Sequence, residues 1–143
     1  MNTPNPTTRS LVIEKDMPHP PEKIWRALTQ APLIGQWLME TDFLPVVGHK
    51  FTLRTKPVAN WNGVVDCEVL AIEANHRLSY SWGSMGLASV VTWTLTPGNA
   101  GTRVRMEQSG FPSEESASYK GASYGWQKFI ASLERVAGGL DRP

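Results

Sequence analysis

One cysteine in 143 residues, Cys67, excludes an intramolecular disulfide and a cysteine-rich metal site. Neither sign of charge is in excess: 14 Lys and Arg stand against 13 Asp and Glu. No overall field therefore draws the chain to DNA, RNA or anionic lipid. No apolar run approaches the roughly 20 residues a membrane-spanning helix needs. The opening MNTPNPTTRS is polar and Pro-rich, without the apolar centre of a secretory signal. No Gly-rich phosphate loop, HExxH or G-x-S-x-G occurs. His19 lies between prolines, His49 follows a glycine and His76 sits in a turn, so none has a partner at triad or metal-ligand spacing. All three are expected at the surface. These absences point to a cytoplasmic protein with no metal, cofactor, nucleic-acid partner or membrane span.

Tryptophan, by contrast, is abundant, with six residues. Each brings a large apolar ring and an N–H that needs a partner when buried. Such a core is either tightly filled or lines a pocket, and that choice is the functional question. At this length the chain can bury roughly 70% of its unfolded surface.

Residues 18–37, PHPPEKIWRALTQAPLIGQW, read as two short helices. Pro20 and Pro21 suit a first helical turn, where a missing N–H costs nothing. Ile24, Trp25 and Leu28 share one face, and Ala31-Pro32 ends the first helix and opens the second, which carries Leu33, Ile34 and Trp37. Helices this short need a large partner surface. Alternation predicts strands over 10–17, 50–55, 64–73, 78–82, 89–96 and 102–109. Inward sets are Phe51 and Leu53; Val65, Cys67, Val69 and Ala71; Leu78, Tyr80 and Trp82; Val91, Trp93 and Leu95; Val104, Met106 and Gln108. Arg103, Arg105 and Glu107 make the opposite face charged, as in an antiparallel sheet covered on one side. Turn signals fall at 60–63 (NWNG), at 75–76 and at 97–101, with a break over 83–86. From Ser113, a candidate N-cap, helical spacing runs toward Leu140 through Trp126, Phe129, Ile130, Leu133 and Ala137. The expected fold is α+β. A curved antiparallel sheet of about six strands wraps around a long C-terminal helix, with two short helices after strand 1. The expected organisation is a flexible tail over 1–9 and one domain over 10–143.

The order and the segments PHPPEKIWRALT, LIGQWLM, FLPVVGHKFTL, GVVDCEVLAIEANHRLSYSW, SVVTWTLTP, GTRVRMEQSGF and YGWQKFIASLERV resemble the START-like (SRPBCC) superfamily. Within it they resemble the family of the activator of the heat-shock-protein-90 ATPase, over residues 10–140. The resemblance implies a helix-grip fold with a cavity between long helix and sheet, often holding an apolar or amphipathic small molecule. A nine-residue tail stands where eukaryotic co-chaperones of the family carry a separate N-terminal domain. Ligand binding is therefore expected ahead of chaperone activation.

The candidate cavity wall comprises Trp37, Met39, Phe51, Tyr80, Trp82, Trp93, Met106, Trp126 and Phe129, with Gln108, Tyr80 and Tyr124 as polar anchors. The competing reading is that each aromatic only fills the core, contributing roughly 2–3 kcal/mol of burial. Gln108, near a strand end, is expected to reach solvent more readily than a ligand. Gly121 and Gly125, four apart on the long helix, cost about 1 kcal/mol each relative to alanine, so a strand or a ligand should approach that face closely. Cys67 reads as an inert buried thiol. Asp66, Glu68 and Glu107 alternate onto the outer face, which speaks against acid–base catalysis and leaves no catalytic candidate. The expected function is binding of an apolar or aromatic small molecule or lipid. A chaperone-linked stress-response module is the alternative, and an enzyme working inside the cavity the less favoured one.

Overall fold

The structure, a computed structural model, describes residues 8–58, 61–84 and 86–140. In chain order it contains β1 (Arg9–Met17), α1 (Pro21–Thr29), α2 (Ala31–Trp37), β2 (Glu40–Thr41) and β3 (Lys50–Arg54). There follow β4 (Val64–Glu73), β5 (Arg77–Ser84), β6 (Leu87–Pro97), β7 (Thr102–Phe111) and α3 (Ala117–Gly138). Among the described residues the strands form one curved antiparallel sheet of seven, ordered β1-β7-β6-β5-β4-β3-β2. The strand beyond the expected six is β2, whose two residues pair with β3 and are too few to leave an alternating pattern.

Pro20 is the N-cap of α1 and Pro21 its first residue, so the helix starts where the missing N–H is harmless. Gln30, with extended dihedrals, separates α1 from α2. The Trp37 indole N–H donates to the Ala27 carbonyl at 2.8 Å and ties the two helices together. Both pack on α3, which supplies the tertiary support that helices of nine and seven residues require.

The sheet's inner face buries Leu53, Val65, Val69, Leu78, Val91, Leu95 and Val104, each at most 1% exposed. On the outer face Arg103 and Arg105 both meet Glu14 across β1 and β7, at 3.1 and 3.4 Å. These exposed pairs contribute ~0–1 kcal/mol each and mark a wet surface. Asp66, Glu68 and Glu107 alternate with the buried residues of their strands and so lie on this side.

Gly83 and Ser84 continue β5 where a break was expected, pairing with Ala88 and Leu87 of β6; Met85 lies outside the described residues. The turn expected at 60–63 is there as a tight turn closed by an antiparallel Val58–Trp61 bridge before β4, with Asn60 outside the described residues. There Gly63, at φ +78°, sits so close that a Cβ would run into the Thr55 carbonyl. At the N-terminus Arg9, expected in the tail, already pairs with Phe111; residues 1–7 are outside the described set.

The long helix starts later than expected. Ser116, not Ser113, is the N-cap: its oxygen accepts the Tyr119 N–H at 3.2 Å and its hydroxyl donates to the Ser113 carbonyl at 2.7 Å. α3 runs to Gly138 and buries Trp126, Ile130, Leu133 and Ala137. It packs on α1, α2 and β1, and Lys15 of β1 pairs with its Glu134 at 2.8 Å. Toward the central strands large rings span the gap: Trp126 lies 5.7 Å from Trp93 and 5.2 Å from Trp82, centroid to centroid.

Candidate functional site

The space between α3 and the sheet divides into a filled part and an open part. In the filled part Trp93 meets Trp37 edge-on at 5.7 Å, and Phe51 meets Phe43 and Tyr80 at 5.0 and 5.6 Å. The residual void among Leu28, Ile34, Trp37, Phe51 and Tyr80 is about 10 Å³, no larger than a single water needs. Met106 is fully buried beside them.

The open part is a recess of about 610 Å³, within the ~300–1,000 Å³ range of small-molecule sites. Val65, Trp82, Ser84, Leu87 and Gln108 line it from the sheet, and Met39 and Trp61 from the connecting segments. α3 lines it with Ala117, Gly121, Gly125 and Phe129 in one row and Ser118, Ala122 and Trp126 in the next. Those rows follow the i, i+4 spacing of a single helical face. All of these side chains but Phe129 and Trp126 are small, and that smallness makes the space. A Cβ built on Gly121 meets nothing within 4 Å, and one on Gly125 meets only the Phe129 ring edge, at 3.9 Å. No strand approaches these glycines closely; they border open volume.

The candidate residues therefore separate into three groups. Met39, Trp82, Gln108, Trp126 and Phe129 line the recess. Trp37, Phe51, Tyr80, Trp93 and Met106, expected at the wall, fill the core instead, because α1 and α2 close over that end of the sheet. Tyr124 is 67% exposed. Its ring carries the Lys128 ammonium 4.3 Å from its centroid, and Lys128 holds the phenol below its usual pKa. The sequence reading missed Trp61, Ser84 and Leu87. Trp61 sits in a connection, and its N–H donates to Ser84 Oγ at 2.9 Å across a separation of 23 residues. The turn signal at 60–63 was the one trace of it.

Gln108 is buried, at 1% exposure, against the expectation that it reaches solvent. β7 continues past it to Phe111 and is flanked by β1 and β6, so position 108 is interior. Its side-chain oxygen accepts from the Trp126 indole N–H at 2.7 Å, and its amide nitrogen donates to Ser89 Oγ at 2.9 Å. Ser89 in turn donates to the Trp82 carbonyl at 2.8 Å. This chain of bonds fixes the Trp126 indole and ties it to the β5 backbone at Trp82, whose ring lies 5.2 Å from it.

Among the described residues, titratable groups lie elsewhere. Burial, aided by the charges of Asp66 and Asp42, pushes the Cys67 thiol up to about 12, so it stays protonated and unreactive. Burial also raises the pKa of Tyr80, although its hydroxyl accepts the Trp93 N–H at 3.0 Å, which acts the other way. Of the histidines His76 is exposed, while His19 and His49 are half-buried. His19 lies under α3, its ring close to where a side chain on Gly138 would begin. Among the described residues no three His, Cys, Asp or Glu side chains come together to hold a metal ion. No helix there is long and apolar enough to cross a membrane. A second depression, about 530 Å³ at the β6–β7 turn, includes charged Asp16 and Arg103 and none of the candidate residues.

A curved antiparallel sheet gripping a C-terminal helix, with the open space between them, defines a helix-grip protein of the START-like class. The family model described as Activator of Hsp90 ATPase homolog 1-like protein matches residues 18–138, and the chain belongs to that family. Among solved structures, protein MLL2253 from Mesorhizobium loti is similar at 48% identity and a TM-score of 0.85, over 94% of this chain and all of that one. NE0264 from Nitrosomonas europaea shares the fold at 17% identity and TM-score 0.78, over 90% of this chain and 94% of that one. CalU16 from Micromonospora echinospora does so at 22% identity and TM-score 0.75, over 92% and 78%. Comparison with curated proteins gives no match.

Proposed function

We propose that this protein binds an apolar or aromatic small molecule in the recess between α3 and the sheet. The supporting observation is the open volume over Gly121 and Gly125, faced by Trp82, Trp126 and Phe129. A helix carrying two interior glycines loses about 2 kcal/mol of propensity relative to alanine. Here no backbone approach requires them, whereas a ligand would use the space. Tryptophan emission during titration with lipids, flavonoids and polyketide-like aromatics tests the proposal. A binder should change emission and raise the melting temperature, by roughly 9 °C at 100 times its Kd. An unchanged spectrum and melting curve across the panel would remove the proposal.

The family description supports a second reading, an interaction with a chaperone ATPase. Stimulation of such an ATPase on addition of the protein supports it. No stimulation at saturating protein eliminates it.

A further inference from the structure

The lining of the recess bears on what it selects, and this step rests on the binding proposal just made. Among the described residues, none of the lining side chains carries a charge. Its polar groups are the Trp61, Trp82 and Trp126 N–H, Ser84, Gln108 and Ser118, and all but the Trp82 N–H are committed. Trp61 donates to Ser84, Ser84 to the Val64 carbonyl at 3.3 Å, and Gln108 is held by both Ser89 and Trp126. Ser118, at the exposed mouth, lies 3.2 Å from Ser116 Oγ. A charged group entering this space would exchange water for ring faces, for polar atoms already partnered and for one uncommitted donor, the Trp82 N–H, a loss that a single neutral donor does not offset. The start of α3 is an electropositive feature near the mouth. Ser116 already occupies one of its N–H groups, and at this exposed end the remaining pull on an anion is worth about fivefold. Lys120 nearby is paired with Glu115 at 3.5 Å.

We infer that the recess takes neutral, largely apolar molecules and rejects the same skeleton when it bears a charge. The cargo class is then the uncharged aromatic, not the fatty acid or aromatic acid. N-phenyl-1-naphthylamine and 8-anilino-1-naphthalenesulfonate share one skeleton and differ by a sulfonate, so they isolate charge. Each is titrated by its own fluorescence into the wild-type protein and into Gly125→Leu, whose added side chain projects into the recess. The component lost in Gly125→Leu is the recess signal. The expected result is that the neutral probe binds there at least ~30-fold more tightly than the sulfonate, the scale of an unpaired buried charge reduced by partial solvation. A smaller ratio, with both signals lost in Gly125→Leu, overturns the charge selection and leaves the recess as a binding site. If neither probe gives a component that Gly125→Leu removes, the binding proposal itself fails and the selection fails with it.

Discussion

Replacing Gly121 and Gly125 with alanine separates space kept for a ligand from space kept for packing. Each glycine lies inside α3, four or more residues from its start at Ala117, where alanine is favoured by about 0.8–1 kcal/mol. A methyl at 121 meets nothing within 4 Å, and one at 125 makes an ordinary contact with Phe129 at 3.9 Å, so no strain subtracts from that gain. The double variant should be more stable by about 2 kcal/mol. With an unfolding entropy near 2.1 cal/mol/K per residue, the 143-residue chain should melt roughly 7 °C higher. Two methyl groups leave most of the 610 Å³ open, whereas the larger side chain of Gly125→Leu takes up the middle of the recess. Differential scanning calorimetry and urea titration give the stability, and ligand titration gives the affinity. A loss of stability in Gly121→Ala or Gly125→Ala would refute the reasoning, since it would mean that something packs tightly where open space is claimed.

Gln108→Ala should destabilise by about 2–4 kcal/mol in urea unfolding, because it strands the Trp126 N–H in the interior and removes the Ser89 bond. A cost below ~1 kcal/mol would mean that water replaces the amide. Trp37→Phe should cost about 2 kcal/mol by losing the bond to the Ala27 carbonyl while leaving ligand affinity within twofold, since Trp37 fills the core. A large fall in affinity would return it to the wall. Cys67 sets an alkaline limit. Its folded pKa of about 12 exceeds the ordinary value of 9.0, so the unfolded chain releases the proton first as pH rises. Its stabilising contribution is therefore intact below pH 9 and declines between about 9 and 12 with a slope approaching 1.4 kcal/mol per pH unit. Cys67→Ala should flatten that decline in chemical denaturation measured from pH 8 to 11; an unchanged slope would assign it to other groups, Tyr80 among them.

The sequence carried the fold where side-chain alternation is strict and lost it where geometry depends on distant partners. β4 was read to its ends because Val65, Cys67 and Val69 alternate against Asp66 and Glu68. The start of α3 was not, since Ser113 and Ser116 are both acceptable caps and only the folded chain shows which oxygen takes the Tyr119 N–H. Tyr124 was a misreading that helix geometry already forbade: it stands two residues from Trp126 and so points away from Trp126's face. The division of the aromatics into wall and core was not legible. Alternation says which face of a strand a ring occupies, not how close a helix comes at that point. That distance depends on α1 and α2 closing over Trp37 and Phe51 while the small residues of α3 stay clear of Trp82. Trp61 was beyond reach, since its place is fixed by a hydrogen bond to a serine 23 residues away.

The indole N–H resonances of the six tryptophans test most directly whether the recess is the binding site. In a 15N–1H spectrum during titration with N-phenyl-1-naphthylamine, Trp61, Trp82 and Trp126 should shift together and saturate at one Kd, while Trp25 and Trp37 hold their positions. Shifts centred on Trp25 or Trp37, with Trp82 and Trp126 unmoved, would contradict a site between α3 and the sheet.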